Sequence, residues 1–215
     1  MGSDVRVFDG AGREWAATVS GIGRSGVEVA LDREVAVVAE PPVAVTLGLA
    51  VLKNDAMDVA VRDATMLGVA AIVPMLTEHV AVAKSRGLRA VEHWRGVAIA
   101  SAKQCGRAVV PRIESEMALA ALLDRAYDRR LALIEPAAGT ADARTDARLS
   151  NLSAAAGPAP KSALMLVGPE GGWSKSEIDL CRERGVIAVR LGPRTLRADS
   201  VPAVALSALW TVWGW

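Results

Sequence analysis

The sequence has little of what marks several common kinds of protein. It holds two cysteines, Cys105 and Cys181, too few for a disulfide framework or a cysteine metal site. Both are therefore expected to be reduced thiols in a cytoplasmic protein. Its two histidines, His79 and His93, have no partners in sequence that would make a catalytic set. No apolar run approaches the roughly 18 uncharged residues of a membrane helix, and no signal peptide precedes the first strand pattern. Net charge is only +1, so the chain lacks the overall basic footprint common among nucleic-acid binders. The glycine run Gly168-Pro169-Glu170-Gly171-Gly172 is neither a P-loop nor a dinucleotide fingerprint, and no segment repeats.

What is present is an apolar chain, 52% hydrophobic over 215 residues, enough for one medium domain and a small one. Of its 25 basic residues 20 are arginine, which suits bidentate phosphate contacts and equally reflects a codon bias toward arginine and alanine. Residues 4–38 read as β-structure: Val5-Arg6-Val7-Phe8 alternates, Asp9-Gly10 is a hairpin turn, and Trp15–Val19 runs back. A second turn, Gly21–Gly26, precedes Val27–Leu31. Three or four such strands are marginal alone. Pro41-Pro42 marks a boundary, dividing the chain into residues 1–40 and 43–215.

From Val43 strands and helices alternate, which predicts a parallel α/β sheet covered on both faces. Strands are expected at Ala44–Leu52, at Val69–Val73 with Pro74 as the stop, and at Leu131–Ile134. Asn54 or Asp55 should cap a helix carrying Met57, Val61, Ala64 and Leu67. A longer helix carries Leu88, Val91, Ala98, Ala102 and Cys105, and Ser115 should cap another around Leu119, Leu122 and Leu123. The Ala/Gly/Pro/Asp-rich stretch from Pro136 to Lys161 reads as a loop, in part without order.

The chemistry concentrates in the last third. Ala163–Val167 is a short buried strand that empties into Gly168-Pro169-Glu170-Gly171-Gly172, a turn only glycine-rich backbone can make. Ser174 and Glu177 then form a capping box that starts a helix. Such a loop lets backbone amides approach a ligand, and Glu170 favours a cationic or neutral one over a phosphate. Val186–Val189 repeats the arrangement, running into Leu191-Gly192-Pro193-Arg194-Thr195-Leu196-Arg197-Ala198-Asp199-Ser200. Asp199 or Ser200 is the expected cap of the last helix, which ends at Trp210, Trp213 and Trp215. These tryptophans read as core or interface anchors.

These two loops, in this order, resemble the bacterial 16S rRNA uridine-N3 methyltransferases of the SPOUT superfamily. The likeness covers roughly residues 43–215 and includes Leu67-Gly68-Val69, the Pro74 segment and Gln104-Cys105-Gly106-Arg107 before Val110-Pro111. It implies a SPOUT methyltransferase domain with a deep C-terminal trefoil knot, preceded by a truncated PUA-like β-barrel domain that holds RNA. It implies S-adenosylmethionine as cofactor, small-subunit rRNA as substrate, a homodimer, and no metal. The cofactor loops are then Ile134 and Glu135; Val167, Gly168, Pro169, Glu170, Gly171 and Gly172; and Leu191, Gly192 and Leu196. Arg197, and secondarily Arg194, would stabilise charge on the uridine carbonyl oxygens as N3 loses its proton. Two other roles stay open on the residues alone: an ion pair of Arg197 with Asp199 or Glu170, and a helix-capping role for Glu170.

The sequence departs from the family pattern at four places. Met66 and His79 stand where the family has Glu and Arg, Lys103 precedes Gln104 in place of Glu, and Asp199 replaces Glu. Opposite charges lost together suggest a polar network removed as a unit. A paralogue that binds cofactor and RNA with little catalysis is the alternative reading. The short first domain balances Arg6, Arg13 and Arg24 against Asp4, Asp9 and Glu14, so weak RNA binding with a shallow salt dependence is expected.

Overall fold

A computed structural model describes residues 2–24, 26–80, 87–135 and 150–215. The first three strands, β1 (Asp4–Phe8), β2 (Glu14–Gly23) and β3 (Gly26–Val35), form an antiparallel sheet in that order. The Asp9 carboxylate shapes the first turn by accepting the amides of Ala11 (2.7 Å) and Arg13 (3.1 Å), with Gly10 at φ 76°.

The remaining strands make one parallel sheet. They are β4 (Ala44–Ala50), β5 (Ala71–Leu76), β6 (Arg112–Ile113), β7 (Met117–Ala118), β8 (Arg129–Leu133), β9 (Ser150–Asn151), β10 (Ser162–Val167) and β11 (Ile187–Arg190). Their order is β6-β5-β4-β10-β8-β11-β9, with β7 also pairing β5. Helices α1 (Ala56–Met66), α2 (Gly87–Cys105), α3 (Leu119–Leu123), α4 (Leu152–Ala156), α5 (Lys175–Glu183) and α6 (Val201–Trp213) cover it. The period of two along β10 divides the core. Ala163, Met165 and Val167 face a cluster with Met57, Trp94 and Leu206, while Leu164 and Leu166 face one with Leu122 and Cys181. Each face is thus sealed by helices, and α/β is the observed architecture.

Several expectations shift. β5 runs through Pro74 instead of ending before it. Ile72 offers its carbonyl to Glu114 beyond β6, so Pro74, two residues on, faces the same side, where β6 has ended and β7 has yet to begin. The missing N–H therefore costs no ladder bond. Ser115 caps nothing: residues after it pair with β5, and α3 starts at an Ala118 cap without a side-chain bond. Asp55 and Ser200 occupy their cap positions without a side-chain bond to the helix amides, and Asn54 takes φ 48°. The stretch expected as loop to Lys161 contains β9 and α4, while residues 136–149 lie outside the described residues. Val109 and Val110 pair with the first turn, not with the large sheet.

Candidate active site

Strands β10, β8 and β11 are consecutive neighbours, so their carboxyl ends bring three loops to one edge of the sheet. In open α/β sheets this edge is where ligands bind. The first loop begins at Ile134, whose amide donates to Val189 O (2.9 Å). The second holds Gly168 to Trp173, and the third Leu191 to Ser200. A cleft between them is lined by Leu133, Ile134 and Glu135, by Val167, Gly168 and Trp173, and by Leu191, Arg194, Leu196, Ala198 and Val201. An adjoining hollow shares Glu135, Leu196 and Ala198 and adds Ala56, Glu170, Thr195, Arg197 and Asp199.

The glycines serve neighbours that sequence did not reveal. A Cβ on Gly168 would meet the indole of Trp173 at 2.9 Å, and that indole donates to Leu133 O at 2.9 Å. One on Gly171 would lie 3.0 Å from His79 Cβ and 3.1 Å from its carbonyl. The carbonyl of Gly172, at φ 73°, accepts from His79 Nδ1 at 3.2 Å. Gly192, at φ 154°, borders open space. The loop backbone is therefore compressed against Trp173, His79 and Glu135 rather than bare on all sides.

Glu170 does not cap the following helix, one of the two roles weighed for it from sequence. Its carboxylate accepts the Lys53 amide at 3.0 Å, tying the glycine loop to the loop after β4. Capping falls to Glu177, which is buried and bonds the Ser174 amide (2.9 Å) with one oxygen. Its other oxygen accepts the Glu78 amide (2.9 Å), so one carboxylate joins α5 to the loop after β5. Pro169 and Gly172 close the turn between them through Gly172 N to Pro169 O (2.9 Å).

The charged groups divide into paired and free. Arg197 makes a two-bond pair with Asp199, Nε–Oδ1 3.2 Å and Nη2–Oδ2 2.8 Å. Asp199 is buried, while the Arg197 side chain remains 81% exposed at the hollow. The hydrogen bonds of that pair push the arginine up and hold the Asp199 carboxyl below the usual range. The ion pair weighed from sequence is thus present. Glu135 and Arg194 both line the cleft and have no partner among the described residues. Desolvation raises the Glu135 carboxyl above its ordinary value, although the residue keeps solvent access.

Sequence reasoning missed Leu133, Trp173, Ala198 and Val201 as cleft walls. Trp173 had a signal, since a large aromatic directly after two glycines needs a place to pack. His93 finds a partner in Asp58 (2.7 Å) on the outer face of α1 and α2, remote from the cleft. Met66 and Gln104 share a groove between those two helices. Among the described residues no group of three His, Cys, Asp or Glu could hold a metal, and no described helix is long and apolar enough to cross a membrane.

Comparison with known proteins agrees with this geometry. The family profile described as an RNA methyltransferase domain matches residues 39–210. Ribosomal RNA small subunit methyltransferase E of Mycobacterium bovis is 31% identical, over 97% of this chain and 78% of its own. The Synechocystis protein of that name is 29% identical, again over 97% of this chain. This chain spans only 66% of that relative's length, about two thirds. Among solved structures, ribosomal RNA small subunit methyltransferase E of Neisseria gonorrhoeae, bound to S-adenosyl methionine, superposes with a TM-score of 0.82 at 27% identity, covering 99% of this chain and 84% of its own. A Legionella pneumophila methyltransferase with bound cofactor gives 0.84 at 26%, with the same coverage of each chain. With its three-loop cleft on a parallel sheet and a match across four fifths of its length, the chain belongs to the RNA methyltransferase domain family, among the ribosomal RNA small subunit methyltransferases E.

Proposed function

We propose that this protein transfers a methyl group from S-adenosylmethionine to N3 of a uridine in small-subunit rRNA. The observation that carries the reading is the convergence of the loops after β8, β10 and β11 on one cleft. The donor set suits that cofactor: a Glu135 carboxylate and an Arg194 guanidinium, each without a partner among the described residues, line the same walls as apolar Leu133, Val167 and Leu196. A ligand with a flat aromatic ring, whose faces pack on apolar side chains, and both charges on an amino-acid end matches such a lining. The cofactor supplies an activated methyl on a sulfonium, so no metal is required. Ile134, Glu135, Val167, Gly168, Leu191 and Leu196 would hold it, with Pro169, Glu170, Gly171, Gly172 and Gly192 shaping the turns around it.

Arg197 is the residue we assign to charge stabilisation. Its guanidinium stands exposed at the hollow and is aimed by buried Asp199. A fixed cation there lowers the cost of the negative charge that develops on the uridine carbonyl oxygens when N3 is deprotonated. Arg194, at the cleft, is the secondary candidate. The three crossing loops are further read as a trefoil knot, and the chain as a PUA-like RNA-holding domain over residues 1–40 followed by a SPOUT domain over 43–215. A homodimer joined through the outer face of α6, where Val204 is 44% exposed, completes this reading.

The test is transfer of labelled methyl to small-subunit rRNA in vitro, with the product nucleoside identified by mass spectrometry. Methyluridine modified at N3 is expected, and its absence in reactions where cofactor binds would leave only a binding protein. Arg197→Ala should lose about 10²–10³-fold in transfer with cofactor affinity nearly unchanged. Equal loss of both would make Arg197 a cofactor or packing residue. A monomer by light scattering would remove the dimer.

A further inference from the structure

The first turn of the antiparallel sheet docks on the segment after α2, and this seam carries an ion pair that belongs to neither sheet. Arg107 directly follows α2 and the Gly106 turn (φ 74°), and its side chain is 7% exposed. Its guanidinium donates to Thr65 O and to Val69 O, both at 2.9 Å, at the end of α1 and just ahead of β5. Two further N–H groups go to Glu40, Nε–Oε1 2.9 Å and Nη2–Oε2 2.5 Å. Glu40 sits in the connection between β3 and β4, 67 residues away in sequence. Beside this pair the first turn docks: Val110 N donates to Gly10 O (2.9 Å) and Gly12 N to Ala108 O (3.2 Å). Pro41 closes the other flank, lying where a Cβ on Gly68 would come within 2.5 Å of its Cγ.

Burying a guanidinium needs a reason, because a well-packed apolar pair commonly matches a buried ion pair in stability. What a bidentate pair adds is direction: two parallel bonds fix angle as well as distance. Here the direction is imposed on the connection that carries the antiparallel sheet. We propose that the Arg107–Glu40 pair is a positioning device, which sets the orientation of the N-terminal sheet relative to the cleft and so the register of RNA between them. The inference rests on the RNA methyltransferase reading above, in which that sheet carries RNA. Neither residue touches the cleft, so both act only through placement.

The test is Glu40→Gln, which keeps shape and one acceptor but removes the charge, with Arg107→Lys as a second variant that keeps charge and loses the fork. Steady-state methylation of small ribosomal subunits, cofactor affinity by calorimetry and amide hydrogen exchange are measured on the full chain. For Glu40→Gln we expect KM for the RNA substrate to rise about tenfold with kcat within about twofold, since small misplacement of a substrate costs this much or more. Cofactor affinity should not move. The amides of Val110 and Gly12 should exchange faster while those of β4 and β10 stay protected, and Arg107→Lys should fall between wild type and Glu40→Gln. Unchanged KM and unchanged seam exchange would overturn the proposal. So would faster exchange throughout the large sheet with a parallel loss of cofactor affinity, which is the mark of a purely stabilising pair. If the wild-type protein methylates no RNA, the functional reading fails, and the exchange pattern still decides whether the pair orients the sheet.

Discussion

Strands β3 and β4 are both rich in valine, leucine and alanine, yet they end in opposite surroundings. From Val45 to Ala50 every residue of β4 is buried, because the strand lies between β5 and β10 with helices over both faces. β3 is an outer strand of a three-stranded sheet, and Val27 and Leu31 remain 60% and 56% exposed. The difference was written in their patterns: β3 interleaves Glu28, Asp32, Arg33 and Glu34 among its apolar residues, whereas β4 has no charge at all. Charges on β3 are also used within the sheet. Glu34 binds Arg13 at 2.8 Å, that guanidinium lies 4.8 Å from the Trp15 ring centroid, and Thr18 donates to Asp32 at 3.0 Å. Arg13, engaged in this way, is one arginine fewer that the sheet can offer to phosphates. Stability therefore resides in the large sheet, and the small one depends on the seam.

The sharpest way to break this contrast is Leu47→Ala in β4. Leu47 is fully buried, and the variant should lose about 2–5 kcal/mol by chemical denaturation. A loss below about 1 kcal/mol would mean the large sheet is not the stable body. Next comes the seam. Gly68 has φ 81° and faces Pro41, so Gly68→Ala incurs both backbone strain and overpacking, about 1–3 kcal/mol by thermal melting. Adding Pro41→Ala should return the packing part and leave the backbone part.

Glu135 tests the cleft by pH. Its folded-state carboxyl is raised by desolvation, so the charged form opposes folding at neutral pH and the effect disappears as pH falls below the unfolded value. Glu135→Gln should accordingly be slightly more stable than wild type near pH 7 and indistinguishable from it near pH 4, while binding cofactor less well. Asp199 has the opposite sign: its depressed carboxyl contributes above the ordinary range and the contribution is lost as pH falls through the folded value. The smallest effect is Leu31→Ala on β3, within about 0.5 kcal/mol by denaturation, because little of its surface leaves water. A larger loss would show that the exposed face is covered in solution.

The sequence by itself determined the alternation of strands and helices after Val43, the glycine turn at 168–172 and the Ser174–Glu177 capping box, since each is a local contest settled within a few residues. Periodicity decides which face is apolar, glycine decides where φ can be positive, and a cap pairs groups three residues apart. Only the tertiary structure decided what those elements meet. Pro74 reads as a stop because proline breaks ladders, and the gap between β6 and β7 that admits it depends on strands nearly 40 residues later. Glu170 reads in part as a helix cap, and the amide it accepts is that of Lys53, 117 residues away. Gly168 and Gly171 read as openings for a ligand, and they make room for Trp173 and His79. Arg107 reads as one letter of a motif, and its carboxylate is Glu40 across the seam. Hydrogen bonds and close contacts of this kind carry no periodicity along the chain, so nothing short of the fold places their two halves together.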